Sequence, residues 1–142
     1  MTLLLVDNDE RLRQLCAAFL AQSGFEVLAA DNGLEALLLA LDRKGAVDLV
    51  ITDLTMPQIS GAELGRVFKQ IWPSMSVLYM SGTPRETFGE DLPANCTFLR
   101  KPFAPDELLS AIASVLQGGV QPVVNWVPAA GTSTEFCGSL KS

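Results

Sequence analysis

Asp7, Asn8, Asp9, Asp53, Ser81 and Lys101 are the residues whose types and placement suit chemistry in this sequence. Each group follows a short apolar run: LLLV leads to Asp7, LVI to Asp53, VLYM to Ser81 and TFL to Lys101. Carboxylates gathered at the ends of buried strands repel one another, and a bound divalent cation is the usual remedy. Oxygen ligands without His or Cys favour Mg2+. A metal beside a carboxylate suggests phosphoryl transfer, in which cation and lysine neutralise the phosphoryl oxygens and a hydroxyl donates a hydrogen bond. The carboxylate then attacks in line. Asp53 suits the nucleophile, and Ser81 and Lys101 the two supporting roles.

Such a set converges only if parallel strands end side by side, because open α/β sheets place their sites at the carboxyl ends of the strands. The pattern predicts a strand over residues 3–6 and an amphipathic helix over 10–22 carrying Leu12, Leu15, Cys16, Phe19 and Leu20, stopped by Gly24. A weaker strand covers 26–30. Asp31 or Asn32 caps a second helix with Leu34, Leu37, Leu38 and Leu41, and the run Leu37 to Leu39 reads as core packing. A third strand covers 49–51, and a third helix carries Leu64, Val67, Phe68 and Ile71 as far as Pro73. Strand four covers 77–80, a poorly signalled helix 85–91 and strand five 97–99. Pro105 opens the last helix, with Asp106 and Glu107 favouring its positive end. Strands alternating with helices imply a doubly wound α/β domain with a parallel sheet covered on both faces. The domain is expected to span 1–118, and the Gly-, Pro-, Ser- and Thr-rich stretch 119–142 to be an irregular tail or linker.

Composition narrows the function classes. With 142 residues and 49% hydrophobic content, one folded core is expected. No apolar run reaches the ~18 residues of a membrane span, and the start lacks a signal-peptide pattern, so a cytoplasmic protein is expected. Ten Lys and Arg against 16 Asp and Glu give a net charge of -6, which disfavours direct contact with nucleic acid or membrane. Three cysteines without CxxC spacing argue against disulfide or zinc frameworks, and Cys16 reads as a small core residue. The absence of histidine removes His-dependent catalysis and His-ligated metals, and requires any phosphohistidine donor to lie elsewhere.

The pieces LLLVDND, DLVITDLTMPQISG, VLYMSGTP and FLRKPF together resemble the receiver domain of two-component response regulators over about residues 3–117. The resemblance implies a flavodoxin-like (βα)5 fold with strand order 2-1-3-4-5. It implies Asp53 as phosphoacceptor, Asp7 and Asn8 as the acidic-pair positions, and the Thr55 backbone carbonyl as a further Mg2+ ligand beside Asp53. Ser81 and Phe98 take the switch positions, Lys101 pairs with the phosphoryl group, and Lys101-Pro102 is expected to be cis. Asn8 departs from the usual carboxylate, which predicts weaker metal binding, with Asp9 a candidate for partial rescue. Phe98 stands where Tyr is frequent.

The implied role is a phosphorelay switch, phosphorylated from a histidine kinase or histidine phosphotransfer domain and acting catalytically only on itself. Its output is expected around the fourth and fifth helices and the fifth strand, with homodimerisation left open. The strings VLYMSGTP and FLRKPF look most like receivers of hybrid sensor histidine kinases, so an excised kinase domain is expected ahead of a stand-alone regulator. Two alternatives stay open: a degenerate receiver that binds partners without phosphorylation, supported by Asn8, and a Mg2+-dependent aspartyl phosphotransferase or phosphatase. Against the latter, Thr55 stands where a second Asp is common. Simpler readings compete too: Asp7 and Asp53 as capping carboxylates, Ser81 as a turn residue, Asn8 as a loop residue and Phe98 as plain core.

Overall fold

The computed structural model describes residues 1–117. Five parallel strands, β1 (Thr2–Val6), β2 (Glu26–Ala30), β3 (Leu49–Asp53), β4 (Ser76–Ser81) and β5 (Thr97–Arg100), form one sheet in the order β2-β1-β3-β4-β5. The helices are α1 (Glu10–Gln22), α2 (Gly33–Asp42), α3 (Gly61–Ile71) and α4 (Pro105–Leu116). The expected α/β architecture and strand order are both present. The tail 119–142 and its boundary lie outside the described residues.

Both faces of the sheet are covered, which is why its central strands read as continuous apolar runs. Alternation sends Leu3, Leu5, Leu49 and Ile51 into a core shared with α1 and α4. Leu4, Val6 and Val50 enter a second core with α2 and α3. Cys16 is buried in the first core, as expected. Burial pushes its thiol up to about 12, so it behaves as an apolar group.

Local chemistry sets the helix ends. Asp9 caps α1 by accepting from the Leu12 N–H at 3.2 Å, and Asn32, not Asp31, caps α2 through the Glu35 N–H at 2.8 Å. Ser60 and Glu63 exchange hydrogen bonds in a capping box at α3. Pro105 sits in the first turn of α4, where its missing N–H is harmless.

The poorly signalled helix over 85–91 is present as a 3-10 helix, Arg85–Asp91, broken at Gly89 with φ 51°. It buries no residue, so no apolar face stabilises a longer helix. The buried residues of α2 are Gly33, which meets Ile59 and, on α3, Leu64, and Ala36 and Ala40, which enter the second core. These small residues let the helix pack closely and turn its leucines outward. Leu37 and Leu39 are half-buried and pack against the second core, as expected, while Leu34, Leu38 and Leu41 are 56%, 58% and 53% exposed, against expectation. Leu15 on α1 is also exposed, although its spacing placed it on the apolar face.

Candidate functional site at the carboxyl ends of the strands

The sheet brings Asp7, Asp53, Ser81 and Lys101 to one edge. Asp7 directly follows β1, Asp53 ends β3, Ser81 ends β4 and Lys101 directly follows β5. Strands β3 and β4 pair Asp53 with Met80, and β4 and β5 pair Ser81 with Arg100. The Lys101-Pro102 peptide is cis, as the resemblance implied.

Lys101 joins the two carboxylates. Its Nζ lies 2.8 Å from Asp7 Oδ2 and 3.4 Å from Asp53 Oδ2. Asp7 is fully buried and Asp53 nearly so. Burial holds the Asp53 carboxyl above its ordinary value; Lys101 works against that shift, and the Asp7 charge adds to it. For Lys101 burial opposes the charge, but the hydrogen bond and charge of Asp7, followed by Asp53, outweigh it and raise the ammonium above the usual lysine value.

Two carboxylates share one lysine, so the site keeps an excess negative charge among hard oxygen donors. That donor set suits a small divalent cation, which takes one or two carboxylates and completes its shell with carbonyls and water. Among the described residues no three His, Cys, Asp or Glu side chains gather as a metal cluster. Asn8 is exposed beside Asp7. The neighbouring Asp9 donates its N–H to Asp7 Oδ1 at 2.9 Å, while its own carboxylate caps α1. Thr55 donates its N–H to Asp53 Oδ1 at 3.4 Å, a long contact.

Ser81 is buried, and its Oγ accepts from the Thr83 N–H at 3.0 Å. The hydroxyl proton therefore stays available for donation. Phe98, paired across the strands with Tyr79, is half-buried in a third apolar cluster. Its ring lies 6.3 Å from that of Phe88 in a tilted arrangement.

Two arginines at this edge escaped the sequence reading. Arg13 donates from Nη1 to the Asp7 carbonyl at 2.7 Å, and Arg100 donates from Nε to the Gly82 carbonyl at 3.0 Å. Both hold backbone at the site loops. Their contacts cross from a helix or strand to a loop carbonyl, and no residue spacing signals such a contact. Gly61 also matters: a Cβ there would collide with the Asp53 carbonyl oxygen and crowd Leu54 Cα, so only glycine lets α3 start against the end of β3.

Among the described residues no helix is long and apolar enough to cross a membrane. The chain is 31% identical over 118 residues to the sensor kinase CckA of Brucella abortus, covering 82% of this chain and 12% of the kinase. It is 32% identical over 127 residues to the transcriptional regulatory protein CusR of Escherichia coli, covering 87% of this chain and 55% of the regulator. The chain thus spans a small part of the kinase and about half of the regulator. Among solved structures, the response regulator protein TrrA of Thermotoga maritima in complex with Mg(2+)-BeF superposes with a TM-score of 0.69 at 28% identity. That match covers 80% of this chain and 97% of TrrA. The model of the response regulator receiver domain matches residues 3–113, and the chain belongs to that family.

Proposed function

We propose that this chain is a phosphoacceptor switch in a two-component phosphorelay, with Asp53 the residue phosphorylated. The observation that carries the reading is the pair of buried carboxylates, Asp7 and Asp53, bridged by Lys101 at the carboxyl edge of the sheet. An Asp53 carboxylate oxygen attacks the phosphorus of a phosphohistidine. The phosphorus–nitrogen bond breaks and the imidazole leaves, taking up a proton. Water later attacks the phosphorus of the acyl phosphate, releasing inorganic phosphate and restoring Asp53.

Lys101 already faces Asp53 and can pair with an added phosphoryl oxygen, and the Ser81 O–H can donate to another. Asp7, Asn8, Asp53 and the Thr55 carbonyl would hold Mg2+, which when bound offsets the charge of the phosphoryl oxygens. TrrA, solved as a Mg(2+)-BeF complex, supports that reading. Residues 1–118 form the switch unit and 119–142 a tail. The donor is a histidine kinase or histidine phosphotransfer domain in the cytoplasm, and the likeness to CckA, whose receiver domain is solved as that of a hybrid histidine kinase, favours a hybrid kinase as parent. The shift on phosphorylation reaches partners through the surface around the 3-10 segment, β5 and α4, including Phe98.

Incubation with a phosphoramidate donor and Mg2+, followed by hydroxylamine, tests the assignment, because hydroxylamine releases phosphate from acyl phosphates. Hydroxylamine-labile incorporation by the parent and none by Asp53→Asn is expected. Equal incorporation by the variant overturns the assignment to Asp53, and no incorporation by the parent favours a phosphorylation-independent binding module.

A further inference from the structure

Outside the Asp53 site, the largest departure from ordinary surface chemistry is the exposed apolar flank of α2. Six large apolar side chains are exposed among the described residues: Met1, Leu15, Leu34, Leu38, Leu41 and Ile71. Three of them lie on α2 at spacings of four and three residues, so they share one stripe. The fold does not need them there, since Ala36 and Ala40 fill the core beneath α2 and Gly33 meets Ile59 and Leu64 beside α3. Any good helix former would serve α2 as well at those positions.

The direction of the stripe follows from its neighbours. A helix turns about 100° per residue. Arg43 pairs with Glu26 on the edge strand β2, which turns that flank of α2 to the sheet edge. Leu34 and Leu41 lie on the other flank, toward α3. On α3, Gly65 meets the Tyr79 hydroxyl on β4 and Arg66 donates to the Asp91 carbonyl, so the Arg66 side faces the 3-10 segment. Ile71 falls on the opposite side, toward α2. Trp72, the next residue, lies against Gly45 just beyond α2, which brings the two helix ends together. The stripe and Ile71 therefore border one groove between two parallel helices. Ten residues of α2 give it a length of about 15 Å, enough for two to three turns of a bound helix.

The rim chooses the occupant. Glu35 and Asp42 are exposed on the outer side of the stripe and Glu63 on α3. Lys44 beyond the end of α2 is exposed and Arg43 is paired with Glu26, so the rim keeps an acidic excess. A second copy laid on this face would bring like charges together in a chain that already carries a net charge of -6. The chain's own segment 118–142 holds one lysine and no arginine, so it offers little to an acidic rim. We propose that the α2–α3 groove docks an amphipathic helix of a partner protein, with leucine-type side chains on one face and lysine or arginine beside them. Recognition is of the helix-in-groove kind, with apolar anchors for affinity and the acidic rim for selection. The proposal does not depend on phosphorylation of Asp53.

The test uses the full chain and a synthetic helical peptide with leucines at alternating spacings of three and four and lysines beside them. A peptide with glutamates in place of the lysines is the control. Amide NMR mapping should show the lysine peptide shifting residues of α2 and α3, and the glutamate peptide shifting none. Leu38→Gln should weaken binding at least fivefold and Asp42→Lys at least threefold. Both positions are exposed, and unchanged thermal melting will confirm that the variants fold. Shifts confined to other surfaces, or equal binding of both peptides, overturn the proposal. So does a parent dimer that Leu38→Gln dissociates, since the groove then takes a second copy. A change in the α2 and α3 amides on removing residues 118–142 overturns it as well, because the tail is then the occupant.

Discussion

Replacing Lys101 by methionine removes the cation between Asp7 and Asp53 while keeping most of the length of the side chain. In the parent the ammonium donates to Asp7 Oδ2 at 2.8 Å and lies 3.4 Å from Asp53 Oδ2. Asp7 is fully buried, so the loss leaves it without its counter-ion and beside a second carboxylate. Breaking a buried ion pair by deleting one partner costs about 3–5 kcal/mol. Lys101 keeps a partly exposed side chain at the mouth of the site, which brings the expectation down to about 3 kcal/mol. Urea unfolding at neutral pH in metal-free buffer measures it as a lower midpoint at unchanged slope. The cause is separable: in the double variant with Asp53→Asn, one of the two carboxylates is gone, and at least 1 kcal/mol should be recovered by coupling in the cycle, within the range of about 0.5–3 kcal/mol for contacting residues. A loss below about 0.5 kcal/mol, the scatter of ordinary surface substitutions, would show that Lys101 does not offset the buried carboxylates. So would strict additivity of the two changes.

The remaining predictions concern the supports of the site. Gly61→Ala should destabilise more than Gly65→Ala, because the first Cβ strikes backbone at Asp53 and the second strikes the hydroxyl end of Tyr79. Overpacking of this kind costs about 1–3 kcal/mol, and melting temperatures of the two variants will order them. Tyr79 is the one tyrosine of the chain, so phenolate absorbance reports it alone. Burial pushes its phenol up to about 12. The folded state therefore favours the neutral ring, and that contribution is complete below the free value of about 10 and is lost as pH rises through the folded value. An absorbance midpoint near the free value in the folded protein would contradict this. Asn8→Asp should strengthen Mg2+ binding on the order of tenfold, since a carboxylate and a divalent cation attract by about 2 kcal/mol at 4 Å in water and salt screens part of that. Calorimetric titration will show it, and an unchanged affinity would mean that position 8 does not face the cation.

The sheet and the site edge were readable because buried parallel strands leave uninterrupted apolar runs, and each run ended on a polar residue of chemical interest. Leu3 to Val6 before Asp7 and Leu49 to Ile51 before Asp53 carry that signal unaided. Strand order is different: it followed from the family resemblance, because several orders satisfy the same pattern. On α2 the period was right and the face was wrong. Four leucines at helical spacing outweigh Gly33, Ala36 and Ala40 in any hydrophobic reading, yet close packing beneath α2 and beside α3 favours the small residues. The helix over 85–91 is weakly signalled because it buries no side chain, and Gly89 breaks it, which leaves a 3-10 helix. Asp9 shows a limit of another kind: its carboxylate caps α1, a duty that competes with the metal-site role considered for it.

Phosphorylation of Asp53 is decided by intact-mass analysis after incubation with acetyl phosphate and Mg2+, with an Asp53→Asn control. The mass of one added phosphoryl group is expected on the parent chain and none on the control. An unchanged parent mass under conditions where Mg2+ is shown to bind, or the same gain on both proteins, would contradict it.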